Sequence, residues 1–347
     1  MHESDSSLAT KPVSDEFDRL APLKAVNVTV IVCTYNRCQS LAEALGSVAS
    51  SALPDSVEWE VLVVDNNSRD QTRAVVEEVS GRYPGRFRYL FESRQGLSNA
   101  RNAGIRAARG EIVVFTDDDV TVDPLWLQNL TVPLSGSQWA GAGGRIRLGG
   151  DFEPPLWLAL SGPFNLGGTL VQFDLGDQEG VLERAPFGAN MAFRKIMFEK
   201  YGAFRSDLDR CGKSLIGNGD TELGERLMAA GERLCYVPSA VVHHPVQKER
   251  LRKKYFRSYW FARGRSLARQ AGHGLSIWRV PRYYLGDFKR RLQWMSSVDR
   301  RWFWSPQGRF FCEVHALQTA GQIVESYRQS FHIGRGTNSS EEHAETA

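Results

Sequence analysis

The chain has 347 residues, of which 42% are hydrophobic and 11% aromatic, and its net charge is only +3. That composition suits one packed domain with an extension and argues against a disordered chain. The charge is unevenly spread: Lys248 to Arg301 holds 16 basic residues against 3 acidic ones, so the remainder is acidic.

Five cysteines (Cys33, Cys38, Cys211, Cys235 and Cys312) form no CxxC pair. Their number and spacing disfavour a zinc site or a disulfide framework and fit a reducing, cytoplasmic setting. Residues 1–24 are polar and acidic without an apolar centre, so they read as a mobile tail rather than a signal peptide. No apolar run is long enough to predict a membrane-spanning helix.

Val28 to Cys33 is a continuous apolar run and predicts a buried strand, followed by the polar turn Thr34-Tyr35-Asn36-Arg37. Leu41, Ala44, Leu45 and Val48 then fall on one helical face. Trp59 to Val64 predicts a second strand that ends in Asp65, and a helix is expected from Asp70 to Tyr83. Arg86 to Phe91 predicts a third strand, and Leu97 to Arg109 a helix packing through Ala100, Gly104 and Ala108. Ile112 to Phe115 predicts a fourth strand that runs into Asp117, Asp118 and Asp119. Strands alternating with helices imply right-handed crossovers and a mostly parallel α/β sheet.

Beyond Pro124 the pattern changes. A helix is expected over Leu125–Leu134, a Gly-rich strand over Trp139–Leu148, and a long functional or mobile segment from Gly149 to Gly180. Phe187–Arg194 reads as a strand, 204–219 as a loop, and Asp220–Ala230 as a helix stopped by Gly231. Leu234–Val237 and Ala240–Val242 read as two short strands leading to His243-His244. The expected domains are thus 25–245, a basic and aromatic helical extension over 246–334, and a disordered tail over 335–347.

Three adjacent carboxylates repel unless a cation offsets them. At the carboxyl end of a strand in an open α/β sheet they lie where ligands bind, and hard oxygen donors there suit Mg²⁺ or Mn²⁺ with a diphosphate. Asp65 ends its strand at the same edge, where it can accept from a base or ribose; an Asx-turn to Asn66 or Ser68 is the plainer alternative. Arg94 and Arg101 flank the start of helix 97–109, a place suited to a diphosphate. The turn at Thr34 lacks GxGxxG and no Walker A sequence occurs, which argues against a dinucleotide dehydrogenase or a P-loop enzyme.

Four stretches in order resemble the family 2 glycosyltransferases: Val30 to Arg37, Val63 to Ser68, Gly96 to Gly104 and Phe115 to Asp119. A weaker likeness continues through Asn218-Gly-Asp-Thr-Glu-Leu223 to His244. The resemblance implies a GT-A fold and inverting transfer of one sugar from a nucleoside diphosphate sugar, taken as a UDP-sugar, to a glycan or lipid-linked hydroxyl acceptor. It implies donor contacts from Thr34, Tyr35, Asp65, Arg94 or Arg101, Asp117 and Asp118, and metal ligation by Asp117, Asp119 and His244, with His243 as the rival histidine. Asp220 matches the family's catalytic base, although Gly219 replaces the usual preceding Glu; Glu222 is the alternative base. As an N-cap of helix 221–230, Asp220 would need no chemistry.

The helix expected from Lys248 to Arg263 interleaves bases with Tyr255, Phe256, Tyr259, Trp260 and Phe261. It fits either docking on an anionic membrane surface at the inner face of the cell membrane or packing on the catalytic domain. A nucleic-acid groove is disfavoured, since no binding motif occurs. A non-catalytic nucleotide-sugar-binding or membrane-adaptor protein is the alternative to an enzyme.

Overall fold

The computed structural model describes residues 28–208, 215–271 and 305–336, with 330–336 described by backbone alone. The expectations for 1–24, for 272–304 and for the tail beyond 336 lie outside the described residues.

The first half follows the apolar pattern closely. Strand β1 (Val28–Thr34), helix α1 (Cys38–Ala49), β2 (Trp59–Asp65), α2 (Thr72–Arg82), β3 (Phe87–Phe91), α3 (Leu97–Ala107) and β4 (Ile112–Asp117) succeed one another. The β-branched runs of β1, β2 and β4 are buried on both faces, as interior parallel strands must be. Leu41, Ala44, Leu45 and Val48 are the buried face of α1. Gly104 lets α3 approach β1, because a Cβ there would meet Ile31 Cγ2 at 2.8 Å.

β5 (Thr121–Val122), α4 (Trp126–Thr131), β6 (Gly141–Gly149), β7 (Gly180–Val181), β8 (Met191–Arg194), α5 (Ile196–Tyr201), α6 (Gly219–Ala229) and β9 (Leu234–Pro245) complete the domain. The strand order is β3-β2-β1-β4-β8-β6-β9-β5, with β7 also paired to β9. β1 to β4 are mutually parallel, whereas β8 runs antiparallel to both β4 and β6. The sheet is therefore mixed beyond β4. β6 and β9 are parallel to each other, and both run in the direction of β4. The carboxyl ends of β1, β4, β6 and β9 thus share one edge.

The reversal of β8 has a structural consequence. The segment after β6 leaves from that edge and returns to it at β8, so it covers the edge. It is pinned rather than loose: Ile146 bridges Phe173, and Arg145 Nη2 donates to Asp177 Oδ1 at 2.6 Å.

Three boundaries differ from expectation. The helix after Pro124 is α4 followed by a 3-10 turn over Val132–Ser135, because Pro133 lacks the amide needed to continue it. The strand expected from Phe187 begins only at Met191. β9 is one strand, not two: Pro238, Ser239 and Ala240 bulge from it between the Gly144–Val237 and Arg145–Val241 pairs, and pairing to β6 resumes beyond them. Buried Asn190 covers the carbonyls this frees, donating to Arg145 O at 2.9 Å and Ala240 O at 2.8 Å.

The extension contributes α7 (Lys253–Ala271) and α8 (Pro306–Gly336). The two helices pack closely at glycines, since a Cβ on Gly264 would meet Gln318 O at 1.9 Å and one on Gly321 would meet Phe261 O at 2.1 Å. Phe256 and Phe310 join Leu158, Leu166, Leu170 and Val314 in a second core beneath the covering segment. Trp157 stacks edge-on to both rings, at 5.1 and 4.5 Å. The inner face of α7 is therefore packed on protein, while Arg252, Lys253, Lys254 and Arg257 are exposed. The described cysteines, Cys33, Cys38, Cys235 and Cys312, are all free thiols.

Candidate active site

The strand order reverses between β1 and β4, and a cleft opens at their carboxyl ends, where open α/β sheets bind ligands. Thr34, Tyr35 and Arg37 from the turn after β1 line it, with Asn66, Gln95, Gly96, the three aspartates and His244. Its volume is about 540 Å³.

Asp117, Asp119 and His244 each present a ligand atom, all within 4.8 Å of one another. His244 is carried there by β9, which runs parallel to β6 and ends at the same edge. Its Nδ1 lies 3.0 Å from Pro245 O. A carbonyl only accepts, so Nδ1 donates to it, which turns Nε2 toward Asp119 Oδ1 at 3.7 Å. Two carboxylates and an imidazole nitrogen fit a divalent ion such as Mg²⁺ or Mn²⁺. His243 instead places Nε2 2.9 Å from Asp123 Oδ1, outside this group.

The acidic cluster is electrostatically strained. Burial, then the neighbouring Asp119 carboxylate, push the Asp117 carboxyl above its usual range. Burial likewise pushes Asp118 up to about 6, against the opposing pull of Arg37. Arg37 is a site residue that motif reading missed: its Nη1 lies 2.9 Å from both Asp118 Oδ1 and Asp119 Oδ2. The signal was a base closing the β1 turn, and only the β1–β4 pairing shows which acids it meets.

The remaining expected donor residues separate into two groups. Arg101 is 6% exposed, with Nη2 4.0 Å from Asp117 Oδ1 and its guanidinium 5.2 Å from the Phe204 ring. Arg94 points elsewhere: it forms a two-pronged pair with Glu92 and does not line the cleft. Asp65 sits behind the cleft, where Oδ1 accepts from Ser68 N at 2.8 Å and Oδ2 from Tyr89 Oη at 2.7 Å. The turn geometry weighed for Asp65 is thus present. Its neighbour Asn66 reaches the cleft and accepts from Gly96 N at 2.7 Å, setting the start of α3. Gly96, which precedes that helix, makes no side-chain cap bond.

A second, smaller hollow adjoins Asp117, lined by Ser98, Arg101, Gly188, Asn218, Asp220, Tyr259 and Arg263 among others. Asp220 is not the helix cap; α6 begins at Gly219 and Asn218 precedes it. Asp220 Oδ2 accepts from Gly188 N at 2.8 Å and Oδ1 from Thr221 N at 2.8 Å, which aims the carboxylate at the hollow. Glu222 instead pairs with Arg226 at 3.0 Å and does not line the hollow. A Cβ on Gly188 would meet Arg101 Nη2 at 2.0 Å and Asp220 Oδ2 at 3.1 Å, so the guanidinium would have to shift. Sequence reading missed Gly188, which carries no motif of its own.

A mixed sheet of this order, flanked by helices, is a GT-A-type fold. Residues 29–202 match the family model described as Glycosyl transferase family 2. The chain is 31% identical over 266 residues to "Succinoglycan biosynthesis protein ExoM" of Rhizobium meliloti, covering 75% of this chain and 81% of that one. It is 28% identical over 290 residues to "Glycosyltransferase AglE" of Haloferax volcanii, covering 78% and 88%. A mannosyltransferase from Pyrobaculum calidifontis, solved with GDP-Man and Mn²⁺, shares the fold at a TM-score of 0.54 and 19% identity, covering 92% of this chain and 82% of that one. The chain belongs to glycosyl transferase family 2 and is a glycosyltransferase. Among the described residues no helix is long and apolar enough to cross a membrane.

Proposed function

We propose that this enzyme moves one sugar, with inversion, from a nucleoside diphosphate sugar to a hydroxyl of a glycan or lipid-linked acceptor in cell-surface polysaccharide or glycolipid synthesis. One observation carries the reading: the Asp117–Asp119–His244 group and the Asp220 carboxylate flank Asp117 from two adjoining hollows. A UDP-sugar is the first donor to test. Thr34 and Tyr35 bound the nucleotide side, with Asp65 and Asn66 shaping it from behind. Arg101 and the first amides of α3 face the diphosphate. Arg94 reaches it only by leaving Glu92.

Asp117, Asp119 and His244 would hold Mg²⁺ or Mn²⁺, which when bound offsets the charge of the departing diphosphate. Asp118 is held by Arg37 and shapes the turn. Asp220 takes the proton of the acceptor hydroxyl as that oxygen attacks the anomeric carbon from the face opposite the leaving group. Its two backbone donors fix the direction of the carboxylate. The exposed bases at the start of α7 support docking at an anionic membrane surface that presents a lipid-linked acceptor.

Asp119→Asn tests the metal assignment. Calorimetric titration of UDP should show Mn²⁺-dependent binding in the native protein and at least tenfold weaker binding in the variant. The same Mn²⁺ dependence in both proteins would remove Asp119 from the metal site.

A further inference from the structure

We infer that Arg263, on α7, is an acceptor-recognition residue whose guanidinium holds an oxyanion, phosphate or carboxylate, carried by the acceptor beside the hydroxyl delivered to Asp220. The inference rests on the transferase reading above and adds the charge class of its acceptor.

Arg263 lies beyond the family-matched residues 29–202. It lines the hollow that contains Asp220, Asn218 and Gly188, and it is not among the residues that line the nucleotide-side cleft. Tyr259, one helical turn earlier, lines the same wall. The other three arginines of α7 are neutralised: Arg257 by Glu313, and Arg265 and Arg269 by Glu325. Among the described residues no carboxylate pairs with Arg263, and its buried Nε has no hydrogen-bond partner. Its guanidinium lies 5.7 Å from the Trp260 ring, a contact that leaves the in-plane N–H groups unused.

A half-buried guanidinium with an unmade hydrogen bond is unfavourable until something accepts it. Its planar fork matches the paired oxygens of a phosphate or carboxylate. Asp119 and His244, whose ion would answer the donor diphosphate, line the other cleft, and Arg101, which shares this hollow, is already turned to Asp117 Oδ1 at 4.0 Å. The charge that Arg263 awaits is therefore on the acceptor. Trp260 also donates from Nε1 to Thr169 Oγ1 at 3.0 Å, which ties the helix to the covering segment and fixes the Arg263 stem.

The test uses the full chain with Mn²⁺ and saturating UDP. Calorimetry or ligand-observed NMR compares a panel of sugar 1-phosphates and uronates with their neutral parent sugars and with inorganic phosphate. At least one anionic sugar should bind tenfold or more tighter than its neutral parent. Arg263→Gln should erase that preference, Arg263→Lys should retain part of it, and UDP affinity should stay within twofold in both. Equal weakening of UDP in Arg263→Gln would assign Arg263 to the donor and overturn the inference. So would the absence of any anionic preference in the native protein, or inorganic phosphate binding as tightly as the best sugar phosphate. If the native protein bound no nucleotide with Mn²⁺, the transferase reading itself would fail, a result distinct from these.

Discussion

The two walls of the cleft are built by different means. On the nucleotide side, three turns each follow a strand of the parallel half and are laced to one another over short range. Asn36 N donates to Ser68 Oγ at 2.9 Å, Arg69 N to Asn36 Oδ1 at 2.8 Å, and Gly96 N to Asn66 Oδ1 at 2.7 Å. Asn36 and Asn67 take positive φ of 51° and 70°, a conformation that asparagine tolerates in such turns. On the proposed acceptor side, the wall is gathered from 187–189, Leu208, 217–221 and α7, which lie far apart in the chain. Side chains hold it together: Gly217 N donates to Ser266 Oγ at 3.2 Å and Asn218 Nδ2 to Gln270 Oε1 at 2.7 Å. Damage to the first wall should therefore appear as lost stability and nucleotide affinity, and damage to the second as lost rate.

The largest expected effect is on the acceptor wall. Asp220→Asn keeps the shape of the side chain but removes the proton acceptor, and should lower kcat by about 10² to 10⁴. UDP affinity with Mn²⁺ should stay within twofold. Near-normal turnover in this variant, with inactivity in Glu222→Gln, would transfer the base to Glu222.

Gly188→Ala comes next. The added methyl would enter the space of Arg101 Nη2 and press on Asp220 Oδ2, so both groups must shift. Displacement of about 1 Å in positioned groups costs on the order of 10² in rate. The expected signature is a kcat loss of that size with a small change in melting temperature. A fall in stability with normal kcat would show that Arg101 and Asp220 yield without chemical cost.

On the nucleotide wall, Asn66→Ala should behave in the opposite sense. It strips the partner from the buried Gly96 amide and releases the carbonyls of Glu92 and Arg94. A buried donor left unpaired costs about 1–3 kcal/mol. Thermal unfolding should fall accordingly, and UDP should bind more weakly because the start of α3 loosens. Unchanged UDP affinity in a destabilised variant would detach that turn from the donor site.

The same contrast explains what could be read from the sequence. Asp65 and the Asp117–Asp119 cluster each follow an apolar run, so local pattern placed them at one sheet edge, whereas Thr34 came from motif resemblance. Asp220 and His244 came from motif resemblance, and the parallel pairing of β9 with β6 supplies the reason His244 arrives. Arg37, Gly188 and Arg263 were not legible as site residues. Their roles depend on which strand lies beside which, on how closely the Arg101 guanidinium lies over Gly188, and on the rotation of a docked helix. Pro238 misled the reading of β9 because the bulge over Pro238, Ser239 and Ala240 leaves the strand's pairing to β6 intact on either side.

The smallest expected effect concerns how α7 is held against α8, and it is a pH effect. Glu325 is 3% exposed and receives Arg265 Nε at 2.7 Å and Arg269 Nε at 2.6 Å. Burial alone would raise its pKa, but hydrogen bonds from Arg269 and Arg265 outweigh that and hold it below the usual range. A carboxyl depressed on folding contributes stability that is complete above its unfolded value, about 4.3, and is lost as pH falls through the folded value. The pairing should therefore be intact at neutral pH and weaken below about pH 4. Glu325→Gln should flatten the acid limb of the unfolding curve and lower stability at pH 7, where two guanidiniums lose their shared counter-charge. Because Ser266 and Gln270 hold the Asp220 loop from the same helix, the variant should also show a modest kcat loss with unchanged UDP affinity. Identical acid limbs for native protein and variant would show that Glu325 does not hold α7, and the acceptor wall would then owe its order to the glycine contacts, the Arg257–Glu313 pair and the aromatic core between the helices.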